Sequence, residues 1–229
     1  MSLPTATAVW DRTSTGREGM SKRAFAMLLT FWTAFGIAAS AVGTYVSYGW
    51  QPSWLLLIGT LVASIAGVII ALKSDNPVFS FLGYMMITIP FGLMMGPVVA
   101  LYTTASVFKI LLVTTGMVVG LGIIGAVWPR SLESWGAWLF GALLILLLGS
   151  IVTVFAGAFG VRVEGAMRLW DWVGVGLFSA YVIFDLNRAM RVERTHDNAI
   201  DCAVAVYLDF ANLFIRLLSL FGAPVSEKD

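Results

Sequence analysis

Long apolar stretches separated by brief polar connections make up almost the whole chain of 229 residues. A helix that rises about 1.5 Å per residue needs roughly 20 apolar residues to cross about 30 Å of hydrocarbon. The pattern therefore predicts an all-α integral membrane protein with seven transmembrane helices, over Ala24–Tyr48, Trp54–Leu72, Val78–Tyr102, Val107–Val127, Trp135–Phe159, Trp170–Arg188 and Ile200–Phe221.

The polar segments determine the expected domain division. Residues 1–23 are mixed in charge and lack the apolar core of a signal peptide, so they are predicted to form a short cytoplasmic tail. A single transmembrane helical domain is predicted over 24–221, with a short C-terminal tail over 222–229. Connections such as Gln51-Pro52-Ser53 are brief. Consecutive helices should therefore be antiparallel neighbours, and the C-terminal helix is expected to pair with helix six.

Basic residues in the connections predict the orientation, because cytoplasmic loops carry an excess of Lys and Arg. With the N-terminus in the cytoplasm, the outer loops hold only Arg162 and Arg168. The cytoplasmic segments then hold Arg12, Arg17, Lys22, Arg23, Lys73, Arg130, Arg188, Arg191 and Arg194. A cytoplasmic N-terminus is therefore predicted. Seven crossings put the C-terminus outside, and a re-entrant course of the last helix is the alternative.

Two polar stripes distinguish the last two helices from the rest. At about 100° per residue, four polar side chains of the last helix fall within an arc of roughly 80°. They are Asp201, Asp209, Asn212 and Arg216. Helix six carries a similar stripe at i+4 and i+3 spacing, formed by Tyr181, Asp185 and Arg188. Both stripes should face protein or water, and we expect them to line a pore.

Asp185 and Asp209 are the candidate functional pair. Asp197 lies midway between them in the chain, so a hairpin that closes near Asp197 would bring both carboxylates to the same depth. An ionised aspartate at the centre of a spanning helix costs about 2.5 to 3.5 kcal/mol, and such residues usually mark ion pathways or proton relays. The alternative is a buried hydrogen-bonded pair that only aligns two helices.

The segments around these aspartates carry a family resemblance. FSAYVIFDLN, followed after a charged turn by AVYLDFANLFIRLLSLFG, resembles the C-terminal signature of the transmembrane Bax inhibitor motif (Bax inhibitor-1) family in its bacterial branch. FGLMMGPVVALY and TGMVVGLGIIGAVWPRSLESWGAWLF resemble its middle helices. The resemblance implies a seven-helix membrane protein with a pH-sensitive calcium leak. It also implies that Asp185 and Asp209 form the pH sensor of the pore.

Elementary electrostatics indicates how such a pair would respond to pH. Two carboxylates about 4 Å apart at an effective dielectric constant near 20 repel each other by about 4 kcal/mol. The pair is therefore predicted to release its protons in two separate steps, one of them near physiological pH. With one proton, a carboxyl–carboxylate hydrogen bond would tie helices six and seven together. The ionised pair would offer oxygen ligands to calcium.

Lys73 is a possible latch for this pair. Family members often have an arginine near the cytoplasmic end of helix two that contacts the aspartate of helix six, and Lys73 in IIALKSDNP is the nearest match. A lysine lacks the bidentate fork of arginine, so a latch here should be weaker or differently shaped. An ordinary interfacial lysine is the alternative interpretation.

Composition excludes several classes of function. With 14 Lys and Arg against 13 Asp and Glu, the formal net charge is +1, which does not support a nucleic-acid partner. The single cysteine, Cys202, and the single histidine, His196, exclude an internal disulfide framework and a zinc site of the Cys and His type. We expect no cofactor, and no nucleophile with a base and an orienting group can be assembled. An intramembrane aspartyl protease also uses two aspartates, but its GxGD context is absent, so we expect no enzyme.

Two functions of different class follow. The first is a pH-sensitive calcium (cation) leak channel gated by the paired aspartates. The second, also suggested by bacterial relatives, is a non-conducting regulator that docks a membrane protease or another membrane complex. In either case the expected partners are the lipid bilayer and either calcium or such a complex, and the expected location is the inner membrane of a bacterial cell.

Overall fold

The structure is a computed structural model that describes residues 19–51, 53–74 and 76–225. Its seven α-helices are α1 (Lys22–Val46), α2 (Trp54–Lys73), α3 (Pro77–Val99), α4 (Thr104–Val127), α5 (Gly136–Ala158), α6 (Glu164–Ala189) and α7 (His196–Phe221), with one 3₁₀ turn at Glu133–Trp135. All seven are long and apolar enough to cross a membrane. The protein is thus an all-α integral membrane protein, as the sequence pattern predicts. The predicted cytoplasmic tail lies largely outside the described residues.

Most helix boundaries lie within three residues of the predicted ones, but α6 and α7 begin earlier. α6 begins at Glu164, six residues before the predicted start at Trp170, and includes the charged residue Arg168. α7 begins at His196 rather than Ile200. Hydrophobicity marks the part of a helix that fits the hydrocarbon, whereas the hydrogen-bonded helix continues into polar sequence. Both early starts are therefore polar first turns that the apolar pattern does not contain.

The turn between α6 and α7 corrects the predicted hairpin. α6 ends at Ala189 and α7 starts at His196, so Asp197 lies in the first turn of α7 and not at the tip. Its side chain is buried and accepts a hydrogen bond from Ser80 Oγ at 2.7 Å. Thr195 caps the helix, because its Oγ1 accepts a hydrogen bond from the backbone N–H of Asn198 at 3.1 Å. The prediction that the hairpin closes near Asp197 was therefore wrong, because the turn lies between Ala189 and His196.

The chain divides into two compact units, and α7 contributes one half to each. Unit 1 comprises α1, α2, α3 and residues 189–207. Its helix α3 packs against both α1 and α2. Small residues permit these contacts, since a methyl group added at Gly67 would collide with the backbone of Gly83, and one at Gly92 with the backbone of Ser40. Unit 1 is therefore held together by close backbone approach.

Unit 2 comprises residues 102–188 and 208–225 of the described chain, with α4, α5, α6 and the second half of α7. Its core is built from large side chains, namely Leu132, Leu139, Leu146, Leu177, Phe178, Val182, Phe184 and Leu213. The pairing of α6 with α7 confirms the predicted neighbours. Trp172 and Phe221 meet edge to face at 5.5 Å between ring centroids, near the start of α6 and the end of α7.

Two polar contacts close unit 2 at its ends. Asn187 of α6 is buried; its Nδ2 donates to the carbonyls of Gly125 and Arg130 at 3.1 Å, and its Oδ1 accepts from the N–H of Leu132 at 3.0 Å. The connection between α4 and α5 is thereby fixed to α6. The second contact lies just after the end of α7, where Tyr102 and Pro224 form an antiparallel bridge.

Candidate functional site

The pairing of α6 and α7 brings Asp185 and Asp209 together. Their carboxyl groups are close enough for a side-chain hydrogen bond. Asp209 is 4% exposed, and its Oδ2 is buried without a hydrogen-bond partner among the residues that the structure describes. Asp185 is half-buried. Two acidic groups thus share one largely dehydrated position, where both cannot ionise without a large electrostatic cost.

Apolar side chains and two polar ones lie close to the pair along α6 and α7. Buried side chains of the same helices, such as Val182 and Phe210, flank the aspartates along the chain. Tyr181 lies near enough to interact electrostatically with both carboxylates, as its predicted place on the α6 stripe implies. Arg188 interacts electrostatically with Asp185 and stacks over the ring of Phe184 at 5.9 Å. The doubly ionised pair would therefore have one nearby cation for two negative charges.

Asn212 and Arg216, the other predicted stripe residues in this half of α7, line a cavity of about 330 Å³ in unit 2. Arg216 Nη1 donates to the carbonyl of Trp170 at 3.1 Å and forms an ion pair with Asp171 Oδ1 at 3.4 Å. Asn212 Nδ2 donates to the carbonyl of Leu208 at 2.9 Å. The stripe therefore continues from the carboxylate pair to a polar cavity.

Asp171 is the charged residue of this cavity that the sequence analysis did not identify. It lies fourteen residues before Asp185, which at about 100° per residue returns it to nearly the same face of α6. The signal was present, but the predicted start of helix six at Trp170 made Asp171 a boundary residue. Because α6 begins at Glu164, Asp171 lies two turns inside the helix.

Asp201 and Lys73, the two remaining predicted site residues, belong to unit 1. Asp201 is 2% exposed in the first half of α7. Lys73 is exposed in the last turn of α2. The contacts within unit 2 therefore assemble only part of the predicted stripe, and the latch stays a prediction.

The donor set limits what a cation could find here. Across residues 19–51, 53–74 and 76–225, no group of three or more His, Cys, Asp or Glu side chains could hold a metal ion. Two carboxylates supply at most four oxygens, whereas calcium takes six to eight.

Comparison with known proteins identifies the family. A sequence model described as "Inhibitor of apoptosis-promoting Bax1" matches residues 23–225. The chain belongs to this Bax inhibitor-1 family. The match begins within two residues of the start of α1 and includes all seven helices. The resemblance seen in the middle and the last two helices therefore extends to the whole membrane domain.

Three relatives illustrate the range of the family. The inner membrane protein YbhL of Escherichia coli K12 is 28% identical over 211 residues, which cover 86% of each chain. The protein YrjE of Lactococcus lactis is 27% identical over 77% of this chain and 74% of its own. LIFEGUARD 4 of Arabidopsis thaliana is 31% identical over 38% of this chain and 34% of its own.

Proposed function

We propose that this protein is a pH-sensitive calcium leak channel of the bacterial inner membrane, with Asp185 and Asp209 as its proton sensor. The observation that supports this most is the contact between the two carboxyl groups within paired membrane helices. A structural ion pair would join opposite charges, whereas this pair joins like charges. The membership of the family and the inner-membrane relative YbhL are consistent with the proposal.

The proposed sensor works through the number of protons that the pair holds. With one proton, a carboxyl–carboxylate hydrogen bond links α6 to α7. Loss of that proton leaves two like charges in contact, which at about 4 Å and an effective dielectric constant near 20 repel by about 4 kcal/mol. That energy would move a two-state helix arrangement from roughly 3:97 to 97:3, somewhat less than the shift from 1:99 to 99:1 that needs about 5.5 kcal/mol.

The ionised pair is also the proposed calcium site of the pathway. Carboxylate oxygens are the ligands that calcium prefers, and a partly hydrated ion held by two of them can leave again. Calcium and protons would therefore compete for the same oxygens. In this proposal Tyr181, Asn212 and Arg216 provide polar surface along the pathway, with Asp201 nearer the cytoplasmic end and the N-terminus in the cytoplasm.

Lys73 is proposed as the latch that holds the closed state. In the closed state it would contact Asp185 as a point charge. Lys73→Gln should then raise calcium flux at the pH where the wild type is closed. A flux profile identical to that of the wild type would remove Lys73 from the mechanism.

Calcium flux into liposomes that contain the purified protein tests the proposal directly between pH 5 and 8. Asp209→Asn and Asp185→Asn should each abolish or displace the pH response, because the amide keeps the shape but cannot share a proton. Two matched controls are Asp201→Asn, another buried aspartate of α7, and His196→Ala, which removes the exposed imidazole of the single histidine. Both should retain the wild-type midpoint.

The outcomes separate the two classes of function. If His196→Ala displaces the midpoint and Asp185→Asn does not, the sensor is the surface histidine. If wild-type protein passes no ions at any pH in this range, the non-conducting regulator of a membrane protease or another complex is the better account.

A further inference from the structure

A second site with charged side chains lies in unit 2, about two turns from Asp209 along α7 at Arg216 and about four turns from Asp185 along α6 at Asp171. It is the cavity of about 330 Å³ among α5, α6 and α7, lined by Ser150, Thr153, Trp170, Asp171, Asn212 and Arg216. This volume is enough for several water molecules, and hydroxyl, amide, carboxylate and guanidinium groups are available to bind them. Apolar side chains, among them Val154, Met167 and Ile215, line the rest of the cavity, which is partly open at the surface of the unit.

Arg216 is held in a fixed position at this cavity. Its guanidinium lies 5.6 Å from the centre of the Phe178 ring, its side chain packs over Gly174, and Nη1 donates to the carbonyl of Trp170. An arginine within a membrane helix is costly, and its position usually marks a functional pathway. The absence of a side chain at Gly174 provides the space that this arginine occupies.

Asp171 neutralises the charge of Arg216, and each of its two carboxylate oxygens has a partner. Its Oδ1 pairs with Arg216, and its Oδ2 accepts a hydrogen bond from Ser219 Oγ at 2.6 Å. Both charged side chains are partly exposed, at 16% for Arg216 and 18% for Asp171. The net charge of the cavity is therefore zero, and removing either partner changes it by one unit in opposite directions.

The same helix faces connect the cavity with the carboxylate pair. On α6 the face runs from Asp171 through Phe178 to Asp185, and on α7 it runs from Arg216 to Asp209. The buried ring of Phe178 lies between the pair and the cavity on the α6 face. The cavity lies toward the end of the bundle where α6 begins and α7 ends, which is the outer side in the predicted orientation.

We propose that this cavity is a water-filled chamber for hydrated cations and that the Arg216–Asp171 pair sets its electrostatic potential. Arg216 opposes cation entry, and Asp171 offsets that opposition. The role of the chamber in cation passage rests on the proposed leak function. Its access to water and its electrostatic potential do not, because both can be measured without any flux. Arg216 thereby acts as a determinant of charge selectivity.

Calcium flux in liposomes gives the first test. Arg216→Gln should raise calcium flux about tenfold and Asp171→Asn should lower it about tenfold, as expected for one unit charge acting on a divalent ion a few ångströms away through water. A purely structural ion pair predicts the same direction for both variants, since each breaks the same contact. Arg216→Lys keeps the charge and should stay near the wild type. Changes of equal sign for Arg216→Gln and Asp171→Asn would overturn the proposal.

Thiol modification gives a test that needs no conduction. In a Cys202→Ala background, Asn212→Cys is exposed to a cationic and an anionic methanethiosulfonate reagent, ethyltrimethylammonium and ethylsulfonate. Both should react, and adding Arg216→Gln should raise the ratio of cationic to anionic rates severalfold while Asp171→Asn lowers it. Val152→Cys, on the 66% exposed outer face of α5, is the control and should stay unreactive in lipid.

These measurements distinguish the two proposals. A shifted reagent ratio in a protein without calcium flux would support the chamber and overturn the leak function. Absence of reaction at Asn212→Cys with either reagent would show that the cavity is closed to water and would overturn the chamber. An unchanged ratio in both charge variants would overturn the assignment of the potential to Arg216 and Asp171.

Discussion

The two units of this protein use opposite kinds of packing. In unit 1, helices approach until backbone meets backbone, as at Gly67 against Gly83, and a tyrosine hydroxyl, Tyr207 OH, meets Ser40 Oγ. In unit 2, leucine and phenylalanine side chains fill the core, and four charged groups face one another between α6 and α7. Close backbone contact leaves no space for water or for a moving side chain, whereas a side-chain core next to a polar cavity does. Asp185, Asp209, Asp171 and Arg216 therefore lie in the unit whose packing can accommodate charged side chains.

The largest expected effect is a loss of stability in unit 1. Gly67→Ala introduces a methyl group against the backbone of Gly83, which cannot move as a side-chain end can. Overpacking costs about 3 kcal/mol, or roughly 6 to 12 °C in the thermal midpoint of a chain of this size. Gly59→Ala in the same helix has open space around it and should be neutral or slightly stabilising. Equal midpoints for the two variants would show that close packing does not hold unit 1 together.

An intermediate effect is expected from the buried amide of unit 2. Asn187→Ala removes hydrogen bonds to the connection between α4 and α5 and leaves the N–H of Leu132 without its acceptor. We expect a loss of about 2 kcal/mol and faster proteolysis within residues 128–132. Asn187→Asp keeps the acceptor for Leu132 but loses the donor, so its loss should be similar or larger. Protection from protease equal to that of the wild type would contradict the role of this contact.

The smallest effect concerns stability against pH. Repulsion between two ionised carboxylates exists only when Asp185 and Asp209 are both present. We expect the free energy of unfolding of the wild type to fall by about 1 to 2 kcal/mol between pH 5 and 8, and that of Asp209→Asn to change less. Thermal midpoints of both proteins across this range measure the difference. Parallel pH curves would show that the two carboxylates do not repel each other in the folded protein.

The sequence predicted the seven helices and the α6–α7 pairing because hydrophobicity and helix length are strong local signals. It predicted the contact between Asp185 and Asp209 by an argument that was wrong in detail. The tip of the turn precedes His196, so Asp185 lies four residues from the end of α6, whereas Asp209 lies thirteen from the start of α7. A polar helix start carries no hydrophobic signal, and equal spacing about Asp197 therefore gave the wrong tip.

The polar stripe shows a second limit of sequence analysis. The arc of roughly 80° on α7 places Asn212 and Arg216, which line the cavity, on the face that also carries Asp209. It also included Asp201, which belongs to unit 1. Helical periodicity identifies residues on one face, but it contains no information on where that face passes from one set of neighbours to another. The partner of Arg216 was missed for a related reason, because Asp171 lies close to a boundary drawn from hydropathy.

The bridge between Tyr102 and Pro224 has a consequence for the topology of the chain in the membrane. Around it, the N–H of Thr103 donates to the carbonyl of Ala223 at 2.9 Å, so the residues after α7 lie beside the connection between α3 and α4. Four helices separate these two places along the chain. An even number of complete crossings returns the chain to the same surface of the bilayer, whereas a re-entrant α7 would leave it on the opposite one. The bridge is thus compatible only with a last helix that traverses the bilayer.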